Sequence, residues 1–173
     1  MKELELELSK DLKACVEFLS LSSDMICSGF KQDKESSDYQ AYDFMLGNSK
    51  VKFRIGKITP KKIGCFTTFY KRIDSGSIVP YDISDNVDFF VVSVCNLEKL
   101  GYFLFPKKAL IENNILSKQG QEGKRAFRLY PLWDTPLNKQ AIVSQKWQLD
   151  YFFQIEDQNS LKKADFKSFL NAE

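Results

Sequence analysis

The stretch YDFMLGNSKVKFRIGKITPKKIGCFTTFYKR spans Tyr42 to Arg72 and decides the predicted fold. From Lys50 onward it carries eight lysines and arginines and no aspartate or glutamate. The whole chain has a formal net charge of only +2, so this positive charge is local. Cations that lack a counter-ion repel one another in a compact chain, and a polyanion would relieve that repulsion. A solvated basic edge strand, in which lysines prevent unwanted strand pairing, accounts for the same residues equally well.

Hydrophobic and polar residues alternate in this stretch with the two-residue period of a β-strand. Phe53 and Ile55 alternate with charged residues, and Gly47-Asn48 before them is typical of a tight turn. We therefore predict a hairpin whose second strand continues to Thr59-Pro60, where proline ends it. Lys57 would lie on the same face as Ile55 and either reach solvent at the strand end or point into a cleft.

Length and composition limit the class of protein. The chain has 173 residues, of which 43% are hydrophobic, and we predict one domain over residues 1–173 with a substantial core. No apolar run is long enough to span a bilayer, and the acidic N-terminus lacks the apolar centre of a signal peptide. We expect a cytoplasmic protein without a membrane partner, and the sequence leaves the oligomeric state open. The cysteines are far apart and are expected to be reduced core residues: Cys15, Cys27, Cys65 and Cys95.

Histidine is absent from the sequence. This excludes Ser-His-Asp and Cys-His catalysis, histidine-ligated metals and any imidazole base. Any chemistry would need carboxylates, lysine, tyrosine or a hard metal ion held by oxygen atoms.

The other elements follow from periodicity and from glycine and proline positions. The predicted elements are a helix at about residues 3–20, a possible short helical piece up to Phe30, a strand at 63–73, a strand at 87–94 covered on both faces, a strand at 102–105, a helix after Pro106, a strand at 125–131, a helix from Asn138 to about Ile155, and a short helix or frayed tail at 161–170. This mixed order predicts an α/β or α+β fold with a mixed β-sheet flanked by helices and a core at about residues 36–155. Val91 should be fully buried at the sheet centre.

Five segments in this order resemble the MepB family of bacterial proteins: KFRIGKITPKKIGCF, IVPYDISDNVDFFVVSV, GYFLFPKKALIENNIL, EGKRAFRLYPLWD and NKQAIVSQKWQL. The resemblance covers about residues 36–153. It implies a fold similar to that of the restriction endonucleases of the PD-(D/E)XK type, a fold used mostly by nucleases and nucleic-acid-binding proteins.

The resemblance also implies where a nuclease site would lie. Such a site needs an aspartate on one strand and then an acid and a lysine, two residues apart, on the next; the acids hold Mg²⁺. Asp43 and Lys57 fit these catalytic positions, but Ile55 replaces the second acid and cannot ligate a metal. Glu35 or Asp88 could act as a displaced acid. We therefore expect a degenerate site with no bound metal and no cofactor, and Mg²⁺ only if the protein is an active nuclease.

A second basic cluster lies at residues 123–128, GKRAFR. Arginine suits bidentate phosphate contacts, and the preceding glycine allows close approach of the backbone. Tyr130 and Trp133 follow and could stack on unpaired bases, although core packing is the better explanation for Trp133 and for Trp147. The predicted nucleic-acid-binding residues are Arg54, Lys57, Lys61, Lys62, Lys71, Arg72, Lys124, Arg125 and Arg128.

Three functions remain open from the sequence. The leading hypothesis is a nucleic-acid-binding protein, with DNA the expected partner and a degenerate metal site. The alternatives are an active Mg²⁺-dependent nuclease and a protein-interaction module whose basic face meets an acidic protein surface.

Overall fold

The computed structural model describes residues 8–155 and 163–171, and its centre is a six-stranded sheet in the order β1-β2-β3-β8-β9-β11. Strands β3 and β8 run parallel, and every other neighbouring pair in this sheet runs antiparallel. The six strands are β1 (Cys27–Gln32), β2 (Tyr42–Leu46), β3 (Ser49–Ile55), β8 (Phe89–Asn96), β9 (Lys99–Pro106) and β11 (Phe152–Ile155). The predicted mixed sheet and the hairpin at its β2–β3 step are confirmed.

Two smaller sheets and four helices complete the described structure. The remaining elements are α1 (Lys10–Ser23), β4 (Lys57–Thr59), β5 (Lys62–Thr68), β6 (Tyr70–Arg72), β7 (Ile78–Pro80), α2 (Lys107–Glu112), β10 (Ala126–Leu129), α3 (Lys139–Gln148) and α4 (Lys163–Asn171), with single 3₁₀ turns at Ser37–Tyr39 and Leu149–Tyr151. A three-stranded sheet has the order β10-β5-β4, and β6 pairs with β7. None of the helices in the described ranges is long and apolar enough to cross a membrane.

The six-stranded sheet has an apolar core on each face. Helices α1 and α4 cover the first core, where Phe18 stacks on Tyr102 with ring centroids 4.8 Å apart. The three-stranded sheet and α2 cover the second core, where Phe69 stacks on Phe90 at 4.0 Å. Val91 is fully buried in the first core, as predicted, because β8 is covered on both faces.

The first helix begins later than its sequence pattern suggested. Ser9 caps it, and the Ser9 Oγ accepts a hydrogen bond from the Leu12 N–H. It ends at Ser23, and the C-cap residue Asp24 has a left-handed backbone (φ 59°). The part of this helix that was predicted at residues 3–7 lies outside the described residues.

Three predicted elements are wrong. The segment leading to Phe30 forms β1, because it pairs with the open side of β2. The helix predicted from Asn138 to Ile155 stops at Gln148, and its last part becomes β11 on the open side of β9. The strand predicted at 63–73 divides at the buried Phe69 into β5 and β6, which belong to different sheets.

The cysteines differ from the prediction in their burial. Cys15 and Cys65 are core residues, whereas Cys27 is half-buried and Cys95 is exposed, and all four thiols are free. Burial raises the pKa of the Cys65 thiol to about 12.

Candidate functional site

The structure does not bring the predicted catalytic residues Asp43 and Lys57 together, and Ile55 does not lie beside Asp43. Asp43 lies directly opposite Lys52 in the hairpin, so its side chain points to the face that Lys52 shares. Ile55 points to the other face, where it packs against the first core. Lys57 belongs to β4 in the three-stranded sheet, and its Nζ lies 4.6 Å from the centre of the Tyr39 ring. The prediction failed because the chain leaves the large sheet at Gly56 and does not continue the strand.

A polar cluster occupies the face of β2 and β3 that carries Asp43. The Lys52 Nζ donates to both Asp43 carboxylate oxygens, at 2.9 and 2.8 Å, and lies 4.8 Å from the centre of the Tyr81 ring. The fully buried Arg54 pairs with Asp33 at 3.0 Å. Burial alone would lower the pKa of Lys52, but Tyr81 and Asp43 outweigh it and raise that pKa. Asp33, Lys52 and Tyr81 were not predicted as members of a site, since nothing in the local sequence marks them as neighbours.

This cluster does not fit a magnesium ion. Asp43 gives both oxygens to Lys52, and Asp33 is paired with Arg54. Among the described residues, no three histidine, cysteine, aspartate or glutamate side chains lie together as metal ligands would. Of the displaced acids considered above, Glu35 accepts from Arg72, which lowers the pKa of Glu35, and Asp88 accepts from the Lys50 backbone N–H.

Three predicted phosphate-binding cations have carboxylate partners, which are distant in sequence for Lys71 and Arg72 and three residues away for Arg125. The ion pairs are Lys71–Asp85 at 2.6 Å, Arg72–Glu35 at 2.8 Å and Arg125–Glu122 at 2.5 Å. Arg54 is completely buried, so the prediction that it lies on an exposed basic face is wrong. The basic stretch is therefore partly neutralised by tertiary contacts, contrary to the expectation from its local sequence.

Four of the other predicted cations, Lys61, Lys62, Lys124 and Arg128, line a cleft of about 540 Å³ beside the three-stranded sheet, whereas Lys57 does not. The β4–β5 turn, β10 and α3 form its walls. No aspartate or glutamate is among the residues that line it: Lys61, Lys62, Ile63, Asn113, Ile115, Lys124, Ala126, Phe127, Arg128, Tyr130, Pro136, Leu137, Asn138, Gln140, Ala141, Ser144, Trp147 and Gln148. The cleft combines positive charge with two half-buried aromatic side chains, Tyr130 and Trp147.

Glycines set the shape of the cleft. A Cβ atom on Gly64, whose φ is 91°, would lie 2.6 Å from the Leu129 carbonyl oxygen and 2.8 Å from the Tyr130 ring. Only glycine permits this approach, which places Tyr130 over the backbone of β5. Gly123 packs equally closely on the backbone at Ile115, and the following Lys124 N–H donates to the Ile115 carbonyl at 2.9 Å.

The cations of the cleft have two different roles. Lys61, Lys62 and Lys124 are exposed, and none of them has an ion pair with a described residue. Arg128 instead donates to the Thr59 Oγ1 at 2.9 Å and to the Gly64 carbonyl at 3.1 Å, and so ties β10 to the β4–β5 turn. Three lysines therefore remain available to an anionic ligand.

Both tryptophans pack in the second core, as predicted. Trp147 contacts Phe105 with ring centroids 5.2 Å apart, and Trp133 contacts Phe152 at 5.5 Å. Trp147 also faces the cleft, which its position on an apolar helix stripe did not indicate.

Two comparisons with known proteins agree. Residues 33–154 match the model of the MepB-like family. A solved structure described as the crystal structure of MepB is similar to this chain with a TM-score of 0.75 and 33% sequence identity, over 87% of this chain and 99% of that one. No match was found among curated proteins.

Proposed function

The chain belongs to the MepB-like family, and we propose that it binds nucleic acid, with DNA as the expected partner, through the cleft between β10 and α3. One observation carries the proposal: the cleft is lined by four cations and by no carboxylate. In a chain with a net charge of +2, such a separation of charge favours an anionic ligand. Lysines without counter-ions suit phosphates, because each contact releases condensed cations from the nucleic acid.

Lys61, Lys62 and Lys124 are the proposed phosphate contacts, with the exposed Lys57 on the adjoining strand β4. Lys71, Arg72 and Arg125 could contribute only by exchanging their carboxylate partners for phosphate, which reduces the gain from each contact. Arg128 positions β10, and Arg54 has no part in the proposed surface.

We further propose that the fold is related to that of the restriction endonucleases. Its support is a mixed sheet in which the hairpin strand β3 pairs in parallel with the central strand β8. The Lys52–Asp43 pair favours binding without metal-dependent cleavage, because the carboxylate that would hold an ion is already neutralised. A cytoplasmic bacterial protein remains our expectation.

The test of the proposal is the salt dependence of DNA binding. Lys61→Ala, Lys62→Ala and Lys124→Ala should each weaken binding to duplex DNA of any sequence and reduce the log–log salt slope by about 0.9. Lys99→Ala is the matched control, because Lys99 is exposed at the start of β9 and does not line the cleft. Fluorescence anisotropy at several salt concentrations measures both quantities.

The same titration separates the alternatives. If all three cleft variants keep the wild-type slope, the cleft is not the binding surface. If the wild type binds neither single- nor double-stranded DNA at low salt, an acidic protein surface becomes the better partner. Cleavage in Mg²⁺ that Asp43→Asn abolishes would replace the binding proposal with a nuclease.

A further inference from the structure

The open edge of β10 forms one wall of the cleft and carries an unusual hydrogen-bonding pattern. Strand β10 pairs with β5 on one side, and no other described strand pairs with its second edge. The Phe69 N–H donates to the Arg125 carbonyl at 2.7 Å, so Arg125 faces β5. Because antiparallel pairing alternates along a strand, the backbone groups of Ala126 and Arg128 point away from β5, toward the open edge.

A side-chain amide already occupies part of this edge. The Gln148 side chain, which is 1% exposed, donates through Nε2 to the Arg128 carbonyl and accepts through Oε1 from the Tyr130 N–H, both at 2.9 Å. Gln148 thus shows what this strand edge binds: a planar group that presents a donor and an acceptor side by side. The helix α3 holds that group in place.

The same pattern recurs two residues earlier without a partner. The Ala126 carbonyl and the Arg128 N–H lie one strand repeat before the pair that Gln148 occupies. Outside the β5 ladder, no hydrogen bond from a described residue reaches either group. Ala126 and Arg128 both line the cleft, together with Tyr130 and the free lysines.

We propose that the cleft holds one unpaired nucleotide. Its base would form hydrogen bonds with the open edge of β10, and its phosphates would contact the lysines. This rests on the proposed nucleic-acid binding and makes it specific for single-stranded or locally opened DNA. The Watson–Crick edge of every base has a donor beside an acceptor, as the Gln148 amide has, so the pair at Ala126 and Arg128 suits any base. Tyr130 or Trp147 would supply an aromatic surface for stacking.

Two features favour a nucleotide over larger ligands. A cleft of about 540 Å³ is the size of a small-molecule site. A double helix is too wide to enter it and would contact only its exposed lysines. An acidic peptide adding as a strand would need a row of free backbone pairs, but β10 has four residues and Gln148 closes half of its edge.

The test compares two single-stranded probes that differ only in their bases. One is an oligothymidylate of about 12 nucleotides, and the other has abasic units with the same number of phosphates. The wild type should bind the oligothymidylate about tenfold more tightly, since stacking and base pairing add to phosphate contacts. Thymidine monophosphate should compete better than inorganic phosphate.

A bulky side chain in the cleft should remove this preference. Ser144→Trp fills the space between α3 and β10, and Gln140→Trp does so from an exposed position where folding is at less risk. In both variants the affinity ratio of the two probes should fall to about one. Ile142→Trp is the matched control, because Ile142 is exposed on α3 and does not line the cleft. It should keep the wild-type ratio, and circular dichroism verifies folding of all three.

The possible outcomes separate this inference from the function on which it rests. If the wild type binds both probes and duplex DNA with the same salt-dependent affinity, the cleft holds no base, although the protein still binds nucleic acid. If none of the nucleic-acid probes binds at low salt, the proposed function fails as well. If polyglutamate displaces the oligothymidylate more strongly than thymidine monophosphate does, the occupant is an acidic peptide and the inference is overturned.

Discussion

Arg54 illustrates what a local sequence pattern leaves undetermined. It lies in the most basic stretch of the chain, yet it is fully buried and pairs with Asp33, 21 residues earlier. Its Nη1 also donates to the Phe53 carbonyl, whereas its Nε is buried without a partner among the described residues. A charged side chain in such a place helps to fix one arrangement of β3 and the loop before β2, and it cannot contact a phosphate there.

Removing Arg54 should therefore lower stability and leave the salt slope of DNA binding unchanged. We expect Arg54→Met to reduce the free energy of unfolding by about 3 kcal/mol, because Asp33 loses its partner in a mostly buried position. Arg54→Met combined with Asp33→Asn should recover part of this loss, since no unpaired charge remains. Lys62→Ala, at an exposed site, should change stability by less than about 0.5 kcal/mol.

Urea denaturation measures these differences. If Arg54→Met is as stable as the wild type but binds DNA less tightly, Arg54 contributes to DNA binding and not to the stability of the fold.

At the scale of elements, local hydrophobic patterns identified the strands that are covered on one face or on both faces. The β2–β3 hairpin and β8 were predictable because alternation, a Gly-Asn turn and a continuous apolar run are local signals. The edge strands β1 and β11 were not, since neither has a two-residue alternation and each gains its structure by pairing with another strand. The three-stranded sheet was missed for the same reason, and with it the true position of Lys57.

Gly64 offers a test of how β5 and β10 fit together at the cleft. Gly64→Ala places a methyl group against the Leu129 carbonyl and the Tyr130 ring, and the φ of 91° adds backbone strain. We expect a loss of about 3 kcal/mol in the free energy of unfolding. Gly76→Ala is the matched control, because Gly76 has a φ of 86° but nothing within 4 Å of an added Cβ. That variant should lose only about 1 kcal/mol, from strain alone.

The comparison of the two alanine variants isolates the contact between the strands. Equal losses, measured by urea denaturation, would show that Tyr130 does not pack on the β5 backbone. The cleft would then have a different shape from the one described.

At the scale of the whole molecule, the candidate cleft could not have been derived from the sequence. Its two basic clusters were visible at Lys61-Lys62 and at Lys124, and the structure brings both to one cleft. The facing wall comes from α3, whose Gln148 and Trp147 gave no sign of a binding role. Such a site depends on contacts across about half of the chain, which no local pattern encodes.

The same long-range contacts link the two apolar cores through a shared sheet. Val91 and Val92 are adjacent on β8, both fully buried, and they point into the first and the second core respectively. Both tryptophans of the chain, Trp133 and Trp147, pack against the second core. Tryptophan fluorescence therefore reports on one core, whereas far-ultraviolet circular dichroism reports on the whole fold.

This arrangement makes cooperativity between the cores measurable with a single variant. Val91→Ala removes two methyl groups from the first core, which contains no tryptophan, and should cost about 2 kcal/mol. If the chain unfolds as one unit, fluorescence and circular dichroism should show the same urea midpoint, shifted equally from the wild type. Val92→Ala, in the second core, should likewise shift the fluorescence and circular dichroism midpoints equally. If Val91→Ala leaves the fluorescence midpoint unchanged while circular dichroism becomes biphasic, the two cores unfold independently, and the sheet between them does not join them into one cooperative domain.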